Sequence, residues 1–181
     1  VVFDKTGTLT QGEPTVTDCL LIQPDTENDT QSGIGTKTIA LSSTSQLLQL
    51  AAAAESGTSH PLGSAIVTEA QQQQLPMLGA QDFYTEPGLG VSALVENQRV
   101  VLGSADCLSK QGITISDTAQ GEVKALADGG KTVVYVAVDG VLAGLIGVND
   151  VPRVEAKQTV EHLKDLGLRV MMLTGDRPEV A

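Results

Sequence analysis

The residues best suited to chemistry stand at the start of the sequence. Asp4 follows the apolar residues 1–3 and precedes a turn rich in glycine and threonine, residues 5–10. A carboxylate at the end of a strand can attack a phosphoryl group while backbone N–H groups of the next turn cradle the phosphate oxygens. The pattern therefore predicts a buried strand over residues 1–3 that presents Asp4 as a nucleophile for phosphoryl transfer.

Residues 4–10 are Asp-Lys-Thr-Gly-Thr-Leu-Thr. This run resembles the phosphorylation signature of P-type ATPases, which belong to the haloacid-dehalogenase-like superfamily. The resemblance implies that Asp4 becomes phosphorylated, that Lys5 and Thr6 assist the transfer, and that Asp4 and Thr6 bind Mg²⁺. Related phosphatases carry an aspartate two positions after the nucleophile, as general acid and base. Thr6 stands there in this chain, so an aspartyl-phosphate is expected to be long-lived, as a pump requires.

A second motif near the end of the chain, Thr174-Gly175-Asp176, follows the apolar residues 170–173. It resembles the T-G-D segment of the same family. The resemblance implies that Thr174 hydrogen-bonds the phosphoryl group, and that Asp176, after Gly175, lies near the magnesium ion and the phosphate. Family members commonly have Asn at the next position, where this chain has Arg177, so no role is assigned to that residue.

Asp150-Val151-Pro152-Arg153 resembles the segment at which such chains re-enter the phosphorylation domain. The resemblance implies that Arg153 helps to bind the nucleotide phosphates. The residues alone leave an alternative open, in which an aspartate starts a helix and the arginine is simply solvated.

Glu55 and His60 stand five residues apart, and Pro61 follows the histidine. A lone histidine before a proline-started helix is ordinarily structural. Here the spacing resembles the His-Pro element of the heavy-metal-transporting (class IB) P-type ATPases. The resemblance implies that His60 orients the adenine and phosphates of ATP and that Glu55 accepts a hydrogen bond from the adenine amino group.

Three glycines complete the predicted nucleotide site. Gly88 and Gly90 form a Gly-x-Gly turn, which lets backbone approach a flat ring or a phosphate without interference from Cβ. A hairpin turn alone would also explain this pattern, but at these residues the chain resembles the class IB pumps. Gly103 resembles the first residue of a later Gly-Asn pair in those pumps, with Ser104 in place of Asn. Phe83 is predicted to belong to the core rather than to stack on adenine.

Regular elements must hold these residues in place. Helical periodicity and helix-ending signals predict helices over residues 45–55, 61–74, 117–128 and 153–166. Alternating β-branched runs predict strands over residues 16–22, 81–85, 91–96, 99–102, 132–138, 141–148 and 169–173. Tight hairpin turns are expected at Asn97-Gln98 and at Asp139-Gly140.

The fold class predicted from these elements combines α/β and α+β. A partial phosphorylation domain, Rossmann-like and of the haloacid-dehalogenase type, would occupy residues 1–19 and 148–181. An inserted α+β nucleotide-binding domain, with an antiparallel sheet and flanking helices, would occupy residues 20–147. Within the insert, residues 23–45 are rich in polar residues and glycine without periodicity, which is typical of a disordered linker.

Composition excludes several function classes. The 181 residues carry a formal net charge of −11, which argues against nucleic-acid binding, since that relies on lysine and arginine. Cys19 and Cys107 are far apart and lack a nearby ligand set, so reduced thiols are expected. No apolar run approaches the roughly 20 residues needed to span a bilayer.

The resemblance implies an ATP-driven transition-metal transporter that uses ATP and Mg²⁺, with copper as the first choice of cargo. This chain would be a piece of that membrane protein at its cytoplasmic face, binding ATP weakly and phosphorylating poorly by itself. Zinc, cadmium or cobalt pumps remain open, because the membrane helices choose the ion. A soluble phosphatase of the same superfamily and a non-catalytic nucleotide-sensing module are the alternatives of other classes.

Overall fold

A computed structural model describes residues 1–22 and 41–173, with Lys5 and Thr6 described through their backbone only. Helices in these ranges are α1 (Thr44–Glu55), α2 (Pro61–Gln72), α3 (Ala105–Lys110), α4 (Asp117–Asp128) and α5 (Val154–Asp165). Strands are β1 (Val2–Asp4), β2 (Thr10–Leu21), β3 (Ala80–Glu86), β4 (Gly90–Val95), β5 (Gln98–Gly103), β6 (Thr132–Val138), β7 (Val141–Pro152) and β8 (Met171–Leu173). One wide helical turn, Lys5–Leu9, connects β1 to β2.

The larger sheet has six antiparallel strands in the order β2-β7-β6-β5-β4-β3. The predicted hairpin between β6 and β7 is confirmed, with Asp139 and Gly140 at φ 47° and 85°. The β4–β5 turn lies one residue earlier than predicted, because Glu96 and Asn97 take the positive φ values of 47° and 65°. Gln98 instead begins β5, opposite Val95.

Helices cover both faces of this sheet, and strand alternation divides the core between them. On β6, Val134, Val136 and Val138 pack with α1 and α2, whereas Tyr135 and Ala137 pack with α3 and α4. Successive side chains of a strand point to opposite faces, so one strand supplies both cores. The α+β architecture predicted for the insert, with an antiparallel sheet and flanking helices, is confirmed.

The smaller sheet consists of β1 and β8, which run parallel with Asp4 opposite Leu173. The prediction that residues 1–3 form a buried strand is wrong: Val2 is 57% exposed. In the described part of the chain this sheet has two strands, and α5 contributes no buried side chain to cover it. The helix and the strand predicted over residues 153–166 and 169–173 are nevertheless present as α5 and β8, and the pairing of β8 with β1 is parallel.

Strands β2 and β7 belong to the six-stranded sheet and connect it along the chain to the smaller one, since β2 follows the turn after β1 and β7 leads into α5. Their pairing extends from Thr10 opposite Pro152 to Leu21 opposite Gly144, with two register shifts on the way. The predicted domain boundaries, at residues 19–20 and 147–148, fall inside these two strands. The division into two domains therefore stays a prediction.

Several boundaries differ from those predicted. Helix α1 begins at Thr44, one residue before the predicted start, because Ser43 caps it and its Oγ accepts from Gln46 N. The last two residues of the predicted linker are thus helical. Helix α3 was not predicted, because six residues are too short to show a helical period. Residues 23–40 and 174–181 lie outside the described residues, and the predictions for them stay untested.

Phe83 does not belong to the core, and it is 45% exposed. It lies on the edge strand β3, where Asp82 has φ 53° and the pairing with β4 shifts register. The ring rests instead against Gly57, where a Cβ would lie 2.6 Å from it. Within the described ranges, no helix has the length and apolar character needed to cross a bilayer.

Candidate functional site: a cleft built from the ends of two helices and four strands

A cavity of 300 Å³ opens at the end of α1 and the start of α2. The end of β5, the β3–β4 turn and the start of β6 form its other walls. Its volume lies at the lower end of the roughly 300–1,000 Å³ usual for small-molecule sites. The cavity brings together residues that the sequence predicts for nucleotide binding: Glu55, His60, Gly88, Gly90 and Gly103. The first and last of these are 48 positions apart in the chain (103 − 55). Their nucleotide-binding roles stay predictions.

Glu55 is the last residue of α1 and is only 7% exposed. Burial raises the pKa of its carboxyl group, because a charged form loses solvation inside the protein. A hydrogen bond from Thr58 and the proximity of His60 oppose that rise in pKa. Glu55 is therefore a desolvated hydrogen-bond acceptor at the wall of the cavity.

His60 caps the N-terminus of α2, directly before Pro61. Its Nδ1 accepts a hydrogen bond from the backbone N–H of Leu62 at 3.2 Å. In a neutral imidazole, an Nδ1 that accepts leaves the proton on Nε2. The cap thereby fixes the ring orientation and presents Nε2–H as the donor, which suits a phosphate oxygen or a ring nitrogen of a base.

Gly90 and Gly103 face each other across β4 and β5. A Cβ on Gly90 would overlap the carbonyl oxygen of Leu102, and one on Gly103 would overlap that of Leu89. Both positions therefore require glycine for the two strands to approach closely at the cavity wall. Gly88 instead needs its φ of 76° for the β3–β4 turn.

Ser104 has a structural task in addition to lining the cavity. Its Oγ accepts from Cys107 N at 3.3 Å and so caps α3. Its backbone N–H donates to Leu89 O at 3.0 Å, which ties the β3–β4 turn to the end of β5. The hydroxyl oxygen is thus engaged as an acceptor, and its proton is the group free to meet a ligand.

The turn after Asp4 is held by a chain of hydrogen bonds. The backbone N–H of Gly7 donates to Thr10 Oγ1 at 3.1 Å, and Thr10 Oγ1 donates to Asp150 Oδ2 at 2.5 Å. The other oxygen of Asp150 accepts from Gly12 N at 3.0 Å. Asp150 therefore fixes the start of β2, and Asp4 itself lies exposed at the end of β1.

Arg153 binds the same turn. Its Nε donates to Thr10 O at 3.0 Å, its Nη2 to Gly7 O at 3.2 Å, and its backbone N–H to Leu9 O at 2.8 Å. It does not line the cavity among the residues described there. These contacts rule out the interpretation in which Arg153 is only solvated, whereas its binding of the nucleotide phosphates stays a prediction.

The structure does not join the cavity to Asp4: no described residue of β1 or of the following turn lines the cavity. Sequence reasoning missed the contributions of Thr10 and Thr58. Thr10 ends the seven-residue signature, and Thr58 follows Glu55 by three residues at a helix end, so both had a positional signal.

The family described as haloacid dehalogenase-like hydrolase matches residues 1–181, which is the whole sequence. The chain belongs to this family.

This haloacid dehalogenase-like chain is also similar over its length to heavy-metal P-type ATPases. It is 38% identical to a silver-exporting P-type ATPase of Salmonella typhimurium over 97% of the chain. It is 38% identical to a chloroplastic copper-transporting ATPase of Arabidopsis thaliana over 100% of the chain. The chain spans 19% and 18% of those two proteins.

A crystal structure of a zinc-transporting PIB-type ATPase in its E2.Pi state resembles the fold. The two structures align with a TM-score of 0.71 at 35% identity, over 99% of this chain and 26% of that one. The resemblance inferred from residues 4–10 and from Glu55 and His60 is thus confirmed at the level of the family. The predicted fold class is confirmed with it.

The donors available to Mg²⁺ in this haloacid dehalogenase-like chain are oxygens, which are the ligands that Mg²⁺ prefers. Among the described residues there is no group of three His, Cys, Asp or Glu side chains arranged around a metal ion. Asp4 offers one exposed carboxylate at the strand end. Such a site suits an ion held by one or two carboxylates together with substrate phosphates. The side chains of Thr6 and Asp176 lie outside the described residues.

Proposed function

We propose that this chain is the ATP-binding and phosphoryl-accepting region of an ATP-driven transition-metal transporter. The observation that carries the proposal is the convergence of Glu55, His60 and the glycines at 88, 90 and 103 on one cavity. Adenine lies against the close-packed glycines, with its amino group donating to Glu55. The Nε2–H of His60 donates to the nucleotide.

Asp4 accepts the phosphoryl group. One oxygen of its carboxylate attacks the γ-phosphorus in line, and a new O–P bond forms. The bond between the γ-phosphorus and the bridging oxygen breaks, and its electron pair leaves with ADP. Mg²⁺, when bound, neutralises charge on the phosphates. Thr10, Asp150 and Arg153 hold the turn that presents Asp4.

The cleft and Asp4 belong to different sheets, so the nucleotide must be carried to the carboxylate. Strands β2 and β7 link the two regions without a break, and their pairing shifts register between Thr10 and Pro14. We assign the approach of the two regions to bending at this place, which is a hinge closure. The clamp formed by Thr10 and Asp150 then lies at the hinge.

Copper is the cargo that we propose first. The segment Pro87–Val91 resembles copper pumps, and a relative 38% identical is named as copper-transporting. A zinc cargo is the second candidate, favoured by the similarity to the zinc-transporting ATPase structure. The transporter's membrane region would bind the ion and hold this region at the cytoplasmic face.

Nucleotide binding is tested by titrating the 181-residue chain with ATP in a calorimeter. His60→Ala and His60→Asn should each weaken binding about tenfold, since a lost hydrogen bond to a charged group costs more than about 1.4 kcal/mol. His60→Asn matters because asparagine still caps α2. It separates the loss of the imidazole from the loss of the helix cap.

The matched control is His162→Ala, which removes the exposed histidine of α5 and should leave the affinity unchanged. Equal affinity of the wild type and both His60 variants would overturn the assigned site. Absence of ATP binding by the wild-type chain would overturn the proposed function itself.

A further inference from the structure

The turn after α1 folds back onto Glu55. Thr58 N donates to Glu55 O at 2.9 Å. The Thr58 hydroxyl donates to Glu55 Oε2 at 2.7 Å and also lies 3.2 Å from Glu55 O. Thr58 therefore binds both the backbone and the side chain of the residue that ends the helix. One of these contacts holds the carboxylate of Glu55 itself, and the other two hold its backbone carbonyl.

The other carboxylate oxygen, Glu55 Oε1, has no hydrogen-bond partner among the described residues. Within that part of the chain, no side-chain oxygen or nitrogen is both fully buried and without a partner. Oε1 is therefore open to the cavity that Glu55 lines. A side chain that is 93% buried (100 − 7) thus presents one unpaired acceptor to the cleft.

Gly63, on the first turn of α2, makes room for this arrangement. A Cβ at Gly63 would overlap Glu55 Oε2 and lie 2.8 Å from Thr58 Oγ1. Any larger residue would push the carboxylate or the hydroxyl out of its place. The space left by Gly63 and the hydroxyl of Thr58 together determine where Glu55 points.

We infer that Thr58 is a positioning residue for base selection: it holds Glu55 Oε2, so that Oε1 is fixed as the acceptor for an amino group of the bound base. The inference rests on the proposed nucleotide function and deepens it. Adenine carries an amino group at position 6, whereas guanine in the same orientation carries a carbonyl oxygen. A fixed carboxylate oxygen attracts the amino group and repels the carbonyl, so the site selects adenine nucleotides.

The test compares ATP and GTP affinity of the 181-residue chain by calorimetry in Thr58→Val and Thr58→Ser. Valine matches the shape of threonine without the hydroxyl, whereas serine keeps the hydroxyl. Thr58→Val should weaken ATP binding about fivefold to tenfold, as expected for one lost hydrogen bond of about 1 kcal/mol or slightly more. GTP binding should change less than twofold, so the ratio of the two affinities falls. Thr58→Ser should keep the ATP and GTP affinities within about twofold of those of the wild type.

A double variant separates positioning from general damage. In a Glu55→Ala background, Thr58→Val should cause no further loss of ATP affinity, because the carboxylate that it positions is gone. Gly63→Ala provides an independent route, since it displaces the carboxylate while Thr58 remains, and it should also lower the ratio of ATP to GTP affinity. Thermal melting establishes that each variant is folded.

Two results would overturn the inference alone. In the first, His60→Asn weakens ATP binding while Thr58→Val and Gly63→Ala leave the ATP to GTP ratio unchanged. In the second, Thr58→Val weakens ATP equally with and without Glu55. If the wild-type chain binds no ATP, the proposed function fails and the inference fails with it.

Discussion

At the scale of single residues, Glu55 and His60 each have a structural task in addition to the ligand contact that we propose for them. His60 caps α2 with Nδ1, and this bond determines which ring nitrogen carries the proton. Glu55 ends α1 almost fully buried, and Thr58 occupies one of its two oxygens. Substitutions at these positions are therefore expected to change local folding as well as binding. Each one needs a control variant that keeps the structural contact.

Burial of Glu55 has a consequence for stability that depends on pH. Its pKa is higher in the folded chain than in the unfolded chain, so the folded state holds its proton more tightly. Stability of the wild type should therefore rise, relative to Glu55→Gln, as pH falls from 7 toward the ordinary glutamate value of about 4.3. At pH 7 the glutamine variant avoids burying a charge and should be the more stable of the two.

Urea unfolding at pH 7 and pH 5 measures this difference. The advantage of Glu55→Gln should shrink between pH 7 and pH 5. The control is Glu161→Gln on the exposed surface of α5, which should show no such trend. A constant difference between Glu55→Gln and the wild type at both pH values would contradict the account.

At the scale of elements, β2 and β7 connect the larger sheet to the smaller one. An ion pair between Lys131 Nζ and Asp18 Oδ2, 2.5 Å long, ties β2 to the start of β6 across β7. Gly147 on β7 lies beneath it, and a Cβ there would come within 3.0 Å of Asp18 Oδ2. Hydrogen bonds from Lys131 and Thr17 lower the pKa of Asp18, so the pair persists through neutral pH.

The other end of the same strand pair holds the turn after Asp4. Asp150→Ala should release the backbone N–H of Gly12 and the hydroxyl of Thr10, because both donate to its carboxylate. Hydrogen exchange of the Gly12 amide, followed by NMR, should become about tenfold faster, since one hydrogen bond protects it by about 1.4 kcal/mol. Asp165→Ala at the end of α5 removes an exposed carboxylate and should leave this rate unchanged. Equal exchange in Asp150→Ala and the wild type would rule out the clamp.

The elements that the sequence predicts well are those with strong local signals. Asp139-Gly140 marks a hairpin, and Gly129-Gly130 marks the end of α4. The predicted β4–β5 turn was one residue too late in the sequence, since Glu96 has no obvious preference for positive φ. Helix α3 escaped prediction because its period is too short to detect. The exposure of β1 depends on its neighbours in space, which the local sequence does not reveal.

The residues of the candidate site also divide into those that the sequence predicts and those that only the structure reveals. Motif resemblance identified Glu55, His60 and the glycines, and the structure places all of them around one cavity. The contacts of Arg153 with Gly7 and Thr10 join residues more than 140 positions apart. No local sequence pattern predicts a contact between residues so far apart, so these contacts of Arg153 could be found only in the structure.

At the scale of the whole molecule, the cleft and Asp4 lie in regions joined by two continuous strands. In the function that we propose, the bound nucleotide must therefore approach Asp4, and we assign that approach to bending of β2 and β7 near Thr10. Thr6 stands where related phosphatases carry an acid, so we expect that a phosphate on Asp4 would be long-lived.

The proposed function depends above all on the capture of the γ-phosphoryl group of ATP by Asp4. The direct measurement supplies the complete transporter containing this chain with ATP labelled in its γ-phosphate, Mg²⁺ and copper, followed by acid quenching. We expect an acid-stable label that hydroxylamine removes, maps to Asp4 and is lost in Asp4→Asn. A wild-type protein that carries no label, or an Asp4→Asn variant labelled to the same extent, would contradict the account.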